Sequence, residues 1–353
     1  MQPITEFSFD GMDIKLSKKY IEIHNLIYNG INALKSSKND PAVNTFLEIF
    51  LNKFSLLDQN APNLVDKTII CCSLKDVDYF INNTKESDLI KKVETKDLDI
   101  SKFSLKAKNY LESKRLLSTD SQVTLLEILS VIFNYTGRRK HLLKYYSSTE
   151  FNICLFCLAQ STTIYTSSKS KYVYLTGNLD HIKPKSKFPF LAVSLNNLIP
   201  VCAHCNQRKS DNPFEYNPFN QLDQHEFDFS NCLETDKKKV VVLNTLDKLK
   251  IAKKKGNTSD LITRLDFSDL YKNFSGNAKI MVERFHKFHS NGYKAHLESV
   301  INGKDTTSEM KYFISEIPLV DKNIVKYPLT KFKIDLYKEL KQKYDNNKVN
   351  SVR

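Results

Sequence analysis

Two Cys-x-x-Cys pairs, Cys154 with Cys157 and Cys202 with Cys205, constrain this chain more than any other feature. Two intervening residues let the backbone fold back as a knuckle, so that both sulfurs of a pair reach one tetrahedral ion. Two such pairs complete a closed set of four thiolates. A closed set has no open position for a reactant, so it serves structure, and Zn²⁺ is the ion that suits it. Between Cys157 and Cys202 lie 44 residues, whereas a simple four-cysteine zinc module leaves about 15–20. The clamp must therefore enclose a folded insertion. The redox use of Cys-x-x-Cys fits poorly, because neither pair opens a helix after a parallel strand. Cys71, Cys72 and Cys232 make the total seven. An odd count excludes a fully paired disulfide framework, and these three read as small buried apolar residues.

The chain has 353 residues, of which 41% are apolar and 11% aromatic. That is enough for a real core and too long for one small module, at roughly 100–200 residues per domain. Wholesale disorder is excluded. No run approaches the roughly 20 apolar residues of a membrane span; the longest candidate, Val123 to Phe133, is interrupted by Glu127. Met1 to Gly11 carries Glu6 and Asp10 and lacks the basic start and apolar run of a secretory signal. The expectation is a cytoplasmic protein with no membrane partner. The net charge is +13, and the excess leans toward residues 221–353, with 25 basic and 18 acidic side chains. Such a field favours polyanionic partners by steering and counterion release, though a Lys-rich surface also serves plain solubility.

Three regions follow from the pattern. Residues 1–149 read as a mainly helical domain. Its helices are a weaker one over Lys18–Leu34, one opened by Asn39-Asp40-Pro41, and one starting near Thr119-Asp120-Ser121 and ending at Gly137. Val65 to Ser73 is either one buried strand or a helix end. The cluster Arg138-Arg139-Lys140-His141 is equally an exposed connector or a phosphate-contacting patch. Tyr145 and Tyr146 are expected to pack rather than to stack on bases. Residues 150–220 change to short strands and turns, with strands at Val173–Leu175 and Ile199–Cys202. Residues 221–353 return to a mainly helical, basic domain, with helices over Asp260–Phe274, Ala278–Asn291 and Lys331–Tyr344. A strand at Val240–Leu243 lies between the triplets Lys237–Lys239 and Lys253–Lys255, which read as solvated loops. There is no internal repeat.

Inside and beside the cysteine clamp lie Leu179-Asp180-His181-Ile182-Lys183-Pro184-Lys185-Ser186 and Asn196-Asn197-Leu198-Ile199-Pro200-Val201-Cys202-Ala203-His204-Cys205-Asn206-Gln207-Arg208-Lys209. These segments resemble the HNH endonuclease family, whose reaction, hydrolysis of a phosphodiester, needs a base for water, a cation at the phosphate and stabilisation of the leaving oxygen. Neighbours on a strand point apart, so Asp180 would face a metal while His181 faces the attacking water. Asn206 directly follows the last cysteine, where a helix would begin, and the knuckle would hold its amide oxygen rigidly. Oxygen ligands from Asp180 and Asn206 suit Mg²⁺ or Mn²⁺.

An Asp-His pair, a middle Asn followed by Leu, and a Cys-x-x-Cys-Asn-x-x-Lys ending, in that order, resemble the HNH endonuclease family. The resemblance runs from Cys154 to about Asp211, roughly a sixth of the chain. It implies an α+β fold: a zinc-stabilised β-hairpin-and-helix core around one divalent metal, flanked by mainly helical N- and C-terminal regions. By position, His181 matches the general base, and Asp180 and Asn206 match the metal ligands. Asn197 matches the residue that holds the hairpin loop and so aims the histidine, while Lys209, with Arg208, matches basic residues near the phosphate. Lys183 and Lys185 are further candidates for the substrate. The family outcome is a 5′-phosphate and a 3′-hydroxyl.

Two departures stand out: Lys187-Phe188-Pro189-Phe190 replaces a Gly-rich turn, pointing to a loop packed by the two phenylalanines, and Ser161 to Gly177 is a long insertion. Asn196 would take the place of Asn197 if the register slipped by one. His204 reads as exposed, with a zinc-ligand role the lesser option, and His286 and His289 read as structural or surface residues. The expected substrate is DNA ahead of RNA. The combination resembles bacterial restriction and anti-phage effector nucleases, which implies an ATPase or other defence-system protein as partner. The alternatives are an RNA-cleaving nuclease of the same chemistry and a non-catalytic, zinc-stabilised nucleic-acid-binding or scaffold protein.

Overall fold

The computed structural model describes residues 12–352 apart from 37–38, 94–101, 104, 114–122, 170–171, 213–217, 219–224, 236–240, 254–258, 290–298, 300–306, 318, 320–323 and 325. The lysines at 237–239, 254 and 255, and the helix start placed near Thr119, lie outside these residues.

The N-terminal elements are α1 (Ile14–Ala33), α2 (Pro41–Lys53), α3 (Leu74–Asn83), α4 (Glu86–Leu89), β1 (Lys92–Val93), α5 (Leu105–Ser113), β2 (Val123–Thr124), α6 (Leu125–Phe133) and α7 (Tyr135–Tyr146). Local chemistry sets their starts. Asp13 caps α1 by accepting from the Leu16 amide at 3.0 Å. Asp40 caps α2 ahead of Pro41, whose missing amide costs nothing at the first position. A reciprocal Thr124–Glu127 capping box opens α6, so the start expected near Ser121 falls at Thr124 and Val123 belongs to a strand. Val65 to Ser73 is neither a strand nor a regular helix end. It holds the last residues of a 3₁₀ turn over Pro62–Lys67 and then irregular chain.

The helix expected to stop at Gly137 stops earlier, at Asn134, which adopts a left-handed backbone (φ 39°). Asn134 then caps a new helix: its Oδ1 accepts from the Gly137 amide at 3.2 Å. A Cβ at Gly137 would lie 2.6 Å from the Asn134 side-chain Nδ2 and would push the capping side chain aside. Arg138 to His141 is therefore helix rather than connector.

The middle elements are β3 (Ile164–Thr166), β4 (Val173–Leu175), β5 (Asn178–His181), β6 (Leu198–Val201) and α8 (Ala203–Lys209). Beyond them come β7 (His225–Asp228), β8 (Leu233–Thr235), β9 (Val241–Leu243), β10 (Lys250–Lys253), α9 (Ser259–Arg264), α10 (Phe267–Lys272), α11 (Ser275–His289), α12 (Thr307–Ser315) and α13 (Thr330–Val352). All strand pairs are antiparallel: β1 with β2, β3 with β4, β5 with β6, β7 with β10 and β8 with β9. The helix expected over Asp260–Phe274 is two helices, broken where Asp266 takes a left-handed backbone (φ 49°).

Most buried apolar side chains from Leu16 to Leu340 form one connected core that includes the four paired cysteines, and Ile153, Leu158, Ile324 and Ile334 form a second, small cluster. The fold is thus α+β, with small antiparallel sheets among helices. Among the described residues no helix is long and apolar enough to cross a membrane.

The N-terminal helices hold the middle segment directly. Ile70 accepts from the Leu195 amide at 2.8 Å, and Tyr146, fully buried, donates to the Leu195 and Leu198 carbonyls. Phe190 is buried against Phe46 and Phe80, with ring centroids 5.4 and 5.9 Å away. The loop that replaces the expected Gly-rich turn is therefore plugged into the N-terminal core.

Candidate active site

The strand pair β5–β6 and helix α8 present the Asp-His pair. Their register sets Asp180 opposite Ile199 and His181 opposite Leu198. The turn entering β5 needs a glycine, because a Cβ at Gly177 would lie 2.2 Å from the Val201 carbonyl oxygen. Cys202 caps α8, and Asn206 sits on its first turn, its amide bonded to the Cys202 carbonyl at 3.0 Å.

All four paired cysteines are buried, and their sulfurs lie within 4.8 Å of one another. Four sulfurs at the usual zinc distance stand about 3.8 Å apart, so the cluster has the dimensions of a tetrahedral zinc site. Burial pushes the Cys154 thiol well up; crowded thiolates need a cation among them. The first knuckle turns on Leu158, which has φ 54° and donates to the Cys154 carbonyl at 2.8 Å. It is braced from outside by the Tyr271 hydroxyl, which donates to the Cys157 carbonyl. His204 is exposed and outside this cluster. Cys71, Cys72 and Cys232 are buried, unpaired by disulfides and apart from it.

A cleft of about 350 Å³ opens beside the strand pair, lined among others by Asp180, His181, Lys185, Asn206, Lys209 and Asp211. Burial alternates along β5, with Leu179 and His181 buried and Asn178 and Asp180 partly exposed. Asn178 to His181 all line the cleft.

The His181 ring is 6% exposed, packed edge-on against Tyr135 at 4.5 Å, with Nε2 2.9 Å from the Ala192 carbonyl oxygen. A carbonyl only accepts, so Nε2 carries the proton and Nδ1 keeps the lone pair. Burial pulls the His181 pKa down to about 3, which keeps the imidazole neutral.

Asn197 is buried behind the cleft. Its Oδ1 accepts from the Lys183 amide at 2.8 Å, and its Nδ2 donates to the Lys183 and Leu191 carbonyls, each at 3.1 Å. It thereby ties both ends of the 183–191 loop, next to the Ala192 carbonyl that orients His181. Asn196 points elsewhere, donating to the Cys72 carbonyl at 2.8 Å.

Lys209 is turned inward rather than toward a ligand, at 1% exposure. Its Nζ donates to the His181 carbonyl at 2.7 Å and lies 2.9 Å from Asp180 Oδ2. That oxygen is buried and has the ammonium as its charge partner. Burial raises the Asp180 pKa, and the Lys209 charge opposes the rise. Asp180, Asn206 and the exposed Asp211 line the same cleft. Oxygen donors of this kind fit Mg²⁺ or Mn²⁺.

The other expected phosphate contacts divide. Lys185 lines the cleft with Nζ 4.8 Å from the Tyr135 ring centre. Lys183 is not among the lining residues, and its backbone amide and carbonyl are held by Asn197. Arg208 is likewise outside the lining and pairs with Asp266 at 2.5 Å.

Tyr135 and Arg139 enter the cleft from α7, far upstream of the motif. Arg139 hydrogen-bonds the Tyr135 hydroxyl, which donates to the Leu179 carbonyl at 3.1 Å. Arg138, its neighbour, is buried on the Phe133 carbonyl, and burial lowers its pKa to about 10. The signal for Arg139 was the Asn134-x-x-Gly137 cap, which makes the basic cluster one turn of helix. Arg264 closes the other end of α8, donating to the Lys209 and Asn212 carbonyls at 3.0 and 3.2 Å.

Residues 172–212 match the HNH endonuclease family. The match takes in β4, β5, β6, α8 and the second cysteine pair, and leaves Cys154, Cys157, Tyr135 and Arg139 outside. Neither the curated proteins nor the solved structures contain a match to the chain. The HNH segment supports a nuclease of that type, and the buried four-cysteine cluster fits the zinc-binding variant of the family.

Proposed function

We propose that the chain is a metal-dependent endonuclease that hydrolyses phosphodiester bonds of DNA, with His181 as general base. The observation that carries the reading is the tautomer forced on His181. With Nε2 donating to Ala192, a neutral imidazole keeps the Nδ1 lone pair available to accept a proton, on a residue lining the same cleft as Asp180 and Asn206. His181 takes a proton from water as that water attacks phosphorus. Asn197 keeps the loop, and hence the histidine, in register. Asp180 and Asn206 would hold a divalent ion, which would supply charge neutralisation at the phosphate and on the leaving oxygen. Lys209 holds the Asp180 carboxylate in place, and Arg139 and Lys185 bring positive charge to the phosphates. The four cysteines hold structural Zn²⁺ beneath α8.

DNA as the substrate, and a role in restriction or phage defence beside an ATPase, belong to the same proposal and rest on resemblance. RNA is the competing substrate, since nothing in the cleft chemistry selects a 2′-hydroxyl. The test is incubation of the purified protein with plasmid DNA and with total RNA, in Mg²⁺, in Mn²⁺ and in EDTA. Metal-dependent nicking or linearisation of the plasmid supports the reading. Cutting of RNA alone replaces DNA with RNA. No cutting of either by zinc-loaded, folded protein contradicts it and favours the scaffold reading.

A further inference from the structure

The insertion between the first cysteine pair and the Asp-His pair is a two-stranded hairpin, β3–β4, with two unlike faces. Ile164, Val173 and Leu175 pack inward on the core. On the outer face Tyr165 and Tyr174 sit directly opposite each other in the register. Their rings stack with centroids 5.4 Å apart and planes within 19°, yet Tyr165 is 50% and Tyr174 45% exposed. Tyr172, leading into β4, is also exposed, and Lys169 is exposed on the turn. A cross-strand aromatic pair steadies a hairpin, but that role does not account for the charge around it. From Phe151 to Leu179 there are two lysines and no acidic residue.

The hairpin also lies close to the cleft in the chain. Tyr174 is four residues before Asn178, the first cleft residue of β5, and four residues span at most about 14 Å. That distance equals roughly four nucleotide steps of 3.4 Å. Helix α7, which carries Arg139 into the cleft, packs against β4. Basic groups and exposed aromatic rings thus continue from the cleft onto the hairpin.

We infer that the outer face of the β3–β4 hairpin is a stacking platform for an unpaired base of the nucleic-acid strand whose phosphate enters the cleft. The inference rests on the nuclease reading and adds to it where the strand runs and that it is unpaired near the cut. Paired bases present no ring face to the tyrosines, whereas an unpaired base stacks on Tyr174 and Tyr165 whatever its identity.

The chain contains no tryptophan, so Tyr174→Trp in a His181→Ala background gives a single emitter on this face. Fluorescein-labelled single-stranded 20-mers of DNA and RNA, and a blunt DNA duplex, serve as probes, with affinity read by anisotropy. Stacking quenches the tryptophan on binding of a single strand. Tyr174→Ala and Tyr165→Ala weaken single-strand binding by roughly 5- to 150-fold, the usual effect of losing one stacked base. Tyr174→Phe binds within twofold of the parent, which separates lost stacking from a disturbed hairpin. If the parent binds and the wild type cuts while the tyrosine variants bind equally and the tryptophan emission is unchanged, the platform is overturned and the nuclease reading stands; a face reserved for a protein partner gives this result. If neither wild type nor parent binds nucleic acid, both fall.

Discussion

Replacing Lys209 with methionine removes one buried charge and leaves its partner behind. The Nζ lies 2.9 Å from Asp180 Oδ2 and 2.7 Å from the His181 carbonyl oxygen, on a side chain 1% exposed. Methionine fills a similar volume, so packing changes little and the substitution isolates the charge. Removing one partner of a buried ion pair costs about 3–5 kcal/mol. That cost depends on pH. Burial already raises the Asp180 pKa above its ordinary 3.8, and without the ammonium it rises further. A carboxyl with a raised folded-state pKa contributes stability below its unfolded pKa and loses it as pH climbs through the folded value. The variant therefore regains stability in acid by protonating Asp180.

Urea denaturation without added divalent cation is the assay. The expected loss for Lys209→Met is about 3–5 kcal/mol at pH 8 and at least about 1 kcal/mol less at pH 5. Adding Asp180→Asn to Lys209→Met recovers part of the loss, so the double variant falls short of the summed singles by more than about 1 kcal/mol. A loss below about 1 kcal/mol at pH 8, equal at pH 5, would refute the buried pair as the reason Lys209 is there.

Three further outcomes follow from the same geometry. Cys157→Ser removes one of four sulfurs from a site whose metal contributes about 10–16 kcal/mol in zinc peptides, more than most domains have to spare. The variant should hold less than one zinc per chain and lose its near-ultraviolet circular dichroism; retention of both contradicts a structural zinc. Gly177→Ala sets a Cβ 2.2 Å from the Val201 carbonyl oxygen and should cost about 1–3 kcal/mol in urea with a marked loss of cutting; a cost below about 0.5 kcal/mol counts against the close approach. His181 stays neutral in the fold down to about pH 3, whereas its unfolded pKa is near 6.5. A depressed folded pKa contributes stability above pH 6.5 that is lost as pH falls through that window. The wild type should thus lose more melting temperature between pH 7.5 and 4.5 than His181→Gln does, and equal losses would show the ring to be solvated.

The chemistry-bearing residues were legible because they are local. Asp180-His181, Asn197, the second cysteine pair and Asn206 lie on or beside one strand pair and the helix that follows it, so short-range spacing sets them side by side, whereas Cys154 and Cys157 join across 44 residues. What was not legible depends on chains that meet only in three dimensions. Arg139 and Tyr135 reach the cleft because α7 restarts at Asn134, and the Gly137 that permits this cap is the same residue that reads as a helix stop. Lys209 looks like a surface base in the sequence, and only its contact with Asp180 across α8 and β5 explains why its charge is buried. Arg208 is drawn to Asp266, whose left-handed backbone breaks a helix that the apolar spacing continues. The phenylalanines of the 187–190 loop were readable as packing, but Phe46 and Phe80 as the partners of Phe190 were not.

The most direct test of His181 as the base is the rate of metal-dependent cutting by His181→Ala relative to the wild type, with both proteins folded and zinc-loaded. Loss of a general base lowers the rate by about 10²–10⁴, and free imidazole, which fits the space the ring leaves, should restore part of it. A variant that cuts within about tenfold of the wild type, with or without imidazole, would contradict the assignment of His181 and with it the account of the cleft.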